Sequence, residues 1–322
     1  MIYQTLIYLV IALLILGILF MLGPRLNMDV QIKPLNLPDD LDTFLQQQES
    51  NFDDIKPNTE KKIFWVDQNN KNSTKISIVY VHGFSASRQE MSPLLENLAG
   101  EMGANIFFTR LTGHARNNDA MSEVTLNFML NDVLEALEVG KRIGDQVILV
   151  GNSTGATLIS WLIATQNTKE VTAMILLSPN YGLKDSKSSL LKLPWARYFL
   201  PILEGPNYRF TPDNDIQKQY WTYEYPVGAL FPMMALVTLT NSVELEKTKV
   251  PLLMMYSEED SVVDVEKIKS TYQRFGSNEK RLVIVKNAQG RQSHVLAGDA
   301  LSPGTTEFVS QEIKLFIGKL GL

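Results

Sequence analysis

A chain of 322 residues with 45% hydrophobic and 20% charged side chains has the composition of a folded globular protein with a sizeable core. Its 30 basic and 35 acidic residues are mixed along the chain for a net charge of −5, and no long basic stretch offers a surface for nucleic acid. The absence of cysteine excludes disulfides, thiolate catalysis and cysteine-built metal sites, and three histidines leave little for a histidine-built metal centre.

Ile2 to Leu22 carries no charged side chain and is apolar on every face. About 20 residues, at about 1.5 Å each, span the ~30 Å hydrocarbon layer of a membrane. Gly23, Pro24 and Arg25 end the run. No Lys or Arg precedes it and no A-x-A pattern follows, so a cleaved signal peptide fits less well. Residues 1–22 are therefore expected to form a single-pass membrane anchor, with lipid as partner. Arg25 and Lys33 behind it favour the cytoplasmic face for the rest of the chain. Residues 23–60 read as a tether interrupted by Pro34 and Pro38. One short helix is expected within it, with Leu41, Phe44, Leu45 and Phe52 on its apolar side.

From residue 62 short apolar runs alternate with longer helical patterns. The expected strands are 62–66, 76–81, 105–109, 146–150, 172–177, 252–256 and 281–285. Several are apolar at every position, as in a parallel sheet covered on both faces. Between them fall helices. Ser92-Pro93 reads as an N-cap and first helical residue ahead of Leu94–Met102. Leu126, Met129, Leu130, Val133, Leu134 and Leu137 mark one face of a helix over 125–143. Further helices are expected over 154–165, 264–275 and 305–320. This alternation predicts an α/β domain with a mostly parallel central sheet flanked by helices. Residues 183–248 break the rhythm. They show no clear strand, ten Trp, Tyr and Phe residues and repeated prolines, and so read as an inserted subdomain.

Gly151-Asn152-Ser153-Thr154-Gly155 has the pattern G-x-S-x-G between an apolar strand and a helix. That setting is a nucleophile elbow, in which Ser153 sits on a sharp turn and small neighbours let backbone come close. A serine hydroxyl needs a base. His294 follows the last expected strand in a polar loop, and the order serine, acid, histidine fits the fold. Four carboxylates compete for the acid after the strand 252–256. Asp260 stands in the loop before Ser261-Val262-Val263 and is the best placed. Asp264 reads as the N-cap of the next helix, and Glu258 and Glu259 as solvated. The acid would hold the imidazole tautomer and stabilise the imidazolium. His82-Gly83-Phe84 follows the strand 76–81. Gly83 lets this loop come close, so the backbone N–H of Phe84 and that of Thr154 are the expected oxyanion donors. His82 then orders the loop. His114, in Leu111-Thr112-Gly113-His114, is the rival base, but it precedes the serine and is expected to support the loop after the third strand.

These five motifs, in this order, resemble the α/β-hydrolase superfamily. The branch most like them holds monoacylglycerol lipases, bacterial carboxylesterases and serine aminopeptidases, and the likeness covers about residues 60–320. It implies Ser153, Asp260 and His294 as a triad, Phe84 and Thr154 as oxyanion donors, a hydrolase core over 61–182 and 249–322, and a helical cap over 183–248. It implies no metal and no organic cofactor. Two departures are visible. Thr112-Gly113-His114-Ala115 stands where the family often has Pro-Gly-His-Gly, and the segment before His294 is longer and more polar than usual. The expected reaction is hydrolysis of a carboxylic ester through an acyl-enzyme. The Met- and Phe-rich stretch Leu230–Leu236, with the anchor, favours a lipid-like ester such as a monoacylglycerol or lysophospholipid. Thioester, amide and peptide substrates use the same triad. A tethered scaffold without activity is the alternative of another class.

Overall fold

The computed structural model describes residues 2–290 and 292–322. The chain opens with helix α1 (Ile2–Met21), none of whose residues is buried. Helix α2 (Leu41–Glu49) is capped by Asp40, whose side chain accepts the N–H of Thr43. Strand β1 (Lys62–Phe64) and strand β2 (Thr74–Val81) come next, then α3 (Leu94–Met102), β3 (Asn105–Phe108), α4 (Leu126–Ile143), β4 (Gly144–Asn152), α5 (Thr154–Thr165) and β5 (Val171–Leu177). The inserted stretch holds α6 (Ala196–Leu203), β6 (Asn207–Arg209), α7 (Asp215–Tyr220), β7 (Glu224–Pro226) and α8 (Leu230–Ser242). The chain closes with β8 (Leu252–Tyr256), α9 (Val265–Arg274), β9 (Lys280–Ile284) and α10 (Pro303–Lys319).

Seven strands form one sheet in the order β1-β3-β2-β4-β5-β8-β9. Only β1 runs antiparallel to its neighbour. The alternation of side chains along a strand divides the core into two layers. On β2, Ile76, Ile78 and Tyr80 face α3 and α10, while Val79 and Val81 face α4 and α5. The continuous apolar runs in the sequence are thus strands covered on both sides, as all-parallel sheets require.

Three local features differ from the sequence reading. Ser92 does not cap α3: the helix starts one residue later, and the Ser92 hydroxyl instead donates to Glu96 Oε1 at 3.0 Å. The insertion is not purely helical. β6 and β7 pair antiparallel with Tyr208 opposite Tyr225, too short a pairing to leave a period-two signal among prolines. Residues 24–60 lie along the domain. Leu41 and Leu45 join its core, and Gln31 and Lys33 donate their backbone N–H to Asn127 and Asn131 on α4. Glu49 holds Arg110 with two hydrogen bonds of 2.8 Å, and Phe52 stacks beneath Arg116 at 4.1 Å.

Candidate active site

Ser153 lies between the end of β4 and the first residue of α5, where neither strand nor helix geometry applies. Its backbone is in the left-handed half of conformational space, φ 51° and ψ −114°, which non-glycine residues rarely adopt. Packing holds it there. Its N–H donates to Leu177 O at 2.9 Å, and its carbonyl accepts from Asn180 and Thr157. The two glycines are required by close approach. A Cβ on Gly155 would lie 1.9 Å from the carbonyl oxygen of Val81, and one on Gly151 would lie 2.7 Å from Ala156 N. The start of α5 is therefore pressed against β2.

His294 and Asp260 are brought to the same place by the loops after β9 and β8. His294 Nδ1 lies 2.7 Å from Asp260 Oδ2. Asp260 is fully buried, and its Oδ1 accepts the N–H groups of Val262 and Val263 at 2.8 and 3.0 Å. Burial alone would push the His294 imidazole toward neutrality. The charge and hydrogen bond of Asp260, with a further contribution from Glu90, outweigh it and raise its pKa above the ordinary value. Of the rival carboxylates, Glu259 is exposed to solvent and the other two are engaged elsewhere. Asp264 caps α9 by accepting the Glu266 N–H, and Glu258 pairs with Lys269.

Ser153 and His294 open onto one cavity of about 360 Å³, and Phe84 and Thr154 line it beside them. The bonded partner of the His294 ring is Asp260, and no hydrogen bond joins its other side to the Ser153 hydroxyl. The N–H of Thr154, at the first position of α5, has no partner within its helix, and that of Phe84 meets no acceptor among the described residues. His82 and His114 lie behind this floor. His82 Nδ1 donates to Gly83 O at 2.9 Å and Nε2 accepts the Leu111 N–H at 3.0 Å, so one ring joins two loops. Burial pushes His82 down to about 3 and His114 down to about 4, leaving both neutral. His114 does not line the cavity. Its ring meets Phe84 edge-on at 5.1 Å.

The roof comes from residues 183–248. Leu190, Leu191, Leu200, Tyr208, Tyr225 and Met233 supply apolar walls. Its polar lining includes Asp213, Gln217 and Gln292. Among the described residues no cluster of His, Asp and Glu is arranged to hold a metal ion. Two groups near the site were not legible as functional. Glu90 sits beneath the floor, and Lys184, at the start of the insertion, donates to the backbone carbonyl of Asp260 at 2.7 Å. Only the position of Glu90, seven residues after Gly83, could have marked it.

An elbow serine and a histidine–carboxylate pair opening onto one cavity suit acyl transfer. Residues 72–289 match the family described as serine aminopeptidase, S33. The chain belongs to this family. It is accordingly a serine hydrolase with the α/β-hydrolase fold. A thermostable monoacylglycerol lipase of Bacillus sp. (strain H-257) is 24% identical over 216 residues, which are 66% of this chain and 82% of that protein. Among solved structures, one from the pair LipS and LipT, metagenome-derived lipolytic enzymes, superposes with a TM-score of 0.66 at 20% identity, covering 82% of this chain and 99% of that one. A soluble variant of monoglyceride lipase from Saccharomyces cerevisiae, bound to a substrate analog, gives 0.60 at 13% identity, over 93% and 97% of the two chains. At these identities the structural likeness is one of fold.

Proposed function

We propose that this hydrolase cleaves carboxylic esters with a single apolar acyl chain, of the monoacylglycerol or lysophospholipid type, while tethered to a membrane by α1. Ser153 attacks the ester carbonyl as His294 Nε2 takes its proton, and Asp260 holds the ring and stabilises the imidazolium. The N–H groups of Phe84 and Thr154 receive the oxyanion, each worth about 3 kcal/mol in comparable sites. His294 then protonates the leaving alcohol, and water releases the acyl group by the same route. No step calls for a metal or cofactor.

The observation that carries this reading is the cavity. Its lining includes Ser153 and His294 together with apolar side chains and several polar ones, a mixture that suits an acyl chain ending in a hydroxylated or charged head. The names of the Bacillus and yeast relatives point the same way. Residues 183–248 act as a cap in this scheme, on a hydrolase core formed by 61–182 and 249–322. Tethering is supported by α1, which is long and apolar enough to cross a membrane. Its end is also joined to the cap. The Trp195 indole donates to Leu19 O at 3.1 Å, and the Trp195 backbone N–H donates to Pro24 O at 2.9 Å. Beyond Trp195, the outer face of α6 leaves Ile202 82% and Leu203 70% exposed, as expected of a helix lying at a lipid interface.

A series of p-nitrophenyl and glycerol esters of increasing chain length tests the substrate class. Rates should rise with chain length until the cavity is filled. A preference for acetate, or inactivity on all esters with turnover of aminoacyl amides, would overturn it. Alkaline carbonate washing should leave the full chain in the membrane pellet, and release into the supernatant would remove the tether.

A further inference from the structure

Glu90 takes no part in the chemistry described so far. It closes a 3-10 turn, Arg88–Glu90, and is 1% exposed. A carboxylate so deeply buried is costly unless its lone pairs are satisfied. Three donors meet this one. Oε1 accepts the Tyr80 hydroxyl and the Gly83 N–H, each at 2.6 Å, and Oε2 accepts Asn152 Nδ2 at 2.9 Å. Gly83 immediately precedes Phe84, and Asn152 immediately precedes Ser153. The three groups meet with no room between them. A Cβ on Gly83 would lie 3.2 Å from Glu90 Oε2, 3.3 Å from Ser153 Cβ and 3.4 Å from Asn152 Nδ2.

We infer that Glu90 is a positioning residue for the hydrolytic site, a single buried carboxylate that ties the loop carrying Phe84 to the elbow carrying Ser153. The inference rests on the proposed roles of Ser153 and the Phe84 amide. Glu90 draws the Gly83 N–H inward, and the following N–H, that of Phe84, meets no acceptor among the described residues. It also fixes the side chain next to the nucleophile. An oxyanion donor works only when its hydrogen points at the place the oxygen will occupy, so the register between these two loops governs the stabilisation it supplies.

The charge of Glu90 acts on the same site. Among the described residues no cation pairs with it. Arg88, on its own turn, reaches toward Glu96 at 3.7 Å and lies over the rings of Phe64 and Phe108. From β2 it faces the Tyr80 phenol, on which Glu96 of α3 also acts, and from β4 the neutral amide of Asn152. His82, beside Gly83 in the loop, is kept neutral by burial. The titratable group facing Glu90 from across the site is His294, with Asp260 behind it. Burial pushes the Glu90 carboxyl up to about 7, against the pull of its three hydrogen bonds and of His294. In its ionised form it favours the His294 imidazolium, the state formed as Ser153 attacks.

Glu90→Gln and Glu90→Ala, in the full chain with a short soluble ester, separate geometry from charge. Glutamine keeps the strut. Its oxygen can accept from Tyr80 and Gly83, and its amide can donate to Asn152 Oδ1, which has no partner among the described residues, once the Asn152 amide turns over. Glu90→Ala should lower kcat about 100-fold with KM held within about threefold, as loss of an oxyanion donor does. Glu90→Gln should recover at least about tenfold of that loss, because the strut's hydrogen bonds are kept. It should also move the acidic limb of kcat/KM to lower pH, since His294 has lost a neighbouring negative charge. Native kcat in Glu90→Ala, or a native acidic limb in Glu90→Gln, would overturn the inference. If the alanine variant does not fold, the pH profile of Glu90→Gln decides alone. Ser153→Ala is measured alongside. Residual turnover there would sink the Ser153 assignment instead, whereas an inactive Ser153→Ala with native Glu90 variants sinks only the role of Glu90.

Discussion

Ser153 stands at the end of a strand whose residues from Val147 to Asn152 are buried, while the chamber above it is roofed by helices and a pair of three-residue strands. The floor stores backbone strain, and strain persists only where surrounding structure over-determines it. The roof holds apolar and aromatic side chains, and part of its outer surface is bare hydrocarbon. Under the proposed function the contrast follows from what each part must do. Attack on a carbonyl tolerates errors of about an ångström poorly, so its groups belong on rigid elements. Acyl chains vary in length and conformation, and methionine and aromatic walls can adjust to them.

If that division is right, changes to the floor should cost rate or stability, and changes to the roof should alter selectivity. Asp260→Asn carries the largest expected effect on rate. It keeps the shape of the loop but leaves the imidazole without its charged partner, and kcat should fall about 10³- to 10⁴-fold, read by steady-state kinetics on a short ester. Gly155→Ala tests the same region through stability. Its new methyl meets the Val81 carbonyl 1.9 Å away, backbone against backbone, so denaturant unfolding should show a loss of about 3 kcal/mol or more. Met233→Ala, in the roof, should be milder. Met233 lines the chamber, and its sulfur lies 3.3 Å from Asn180 Nδ2. Its truncation should shift the preferred acyl chain toward longer esters, changing the ratio of kcat/KM between short and long chains by about tenfold. A fall in turnover for every chain length equally would break the comparison.

The same division decides what could be read from the sequence. The sheet strands were legible because burial on both faces leaves uninterrupted apolar runs, and β8 lies at the expected 252–256. Ser153, Asp260 and His294 were legible as a set because each follows a strand, and strand ends fix where the next residues emerge. The roof was not. The pair β6 and β7 has three residues per strand, with Tyr208 against Tyr225 across a gap of sixteen residues that no local pattern spans. Glu90 was missed for a related reason. Its partners Tyr80, Gly83 and Asn152 belong to two strands' ends, and only the parallel pairing of β2 with β4 brings them together. The proline and polar content of residues 23–60 is that of a linker. Their attachment depends on distant partners, Asn127, Asn131 and Arg110.

The most direct test of the account is covalent. A fluorophosphonate probe reacts with a serine only when a base activates it and an oxyanion site receives the phosphoryl oxygen. Incubated with the full chain and mapped by peptide mass spectrometry, the adduct should sit on Ser153, and labelling should disappear in His294→Ala. An unlabelled protein that retains ester turnover, or an adduct on a different serine, would contradict it.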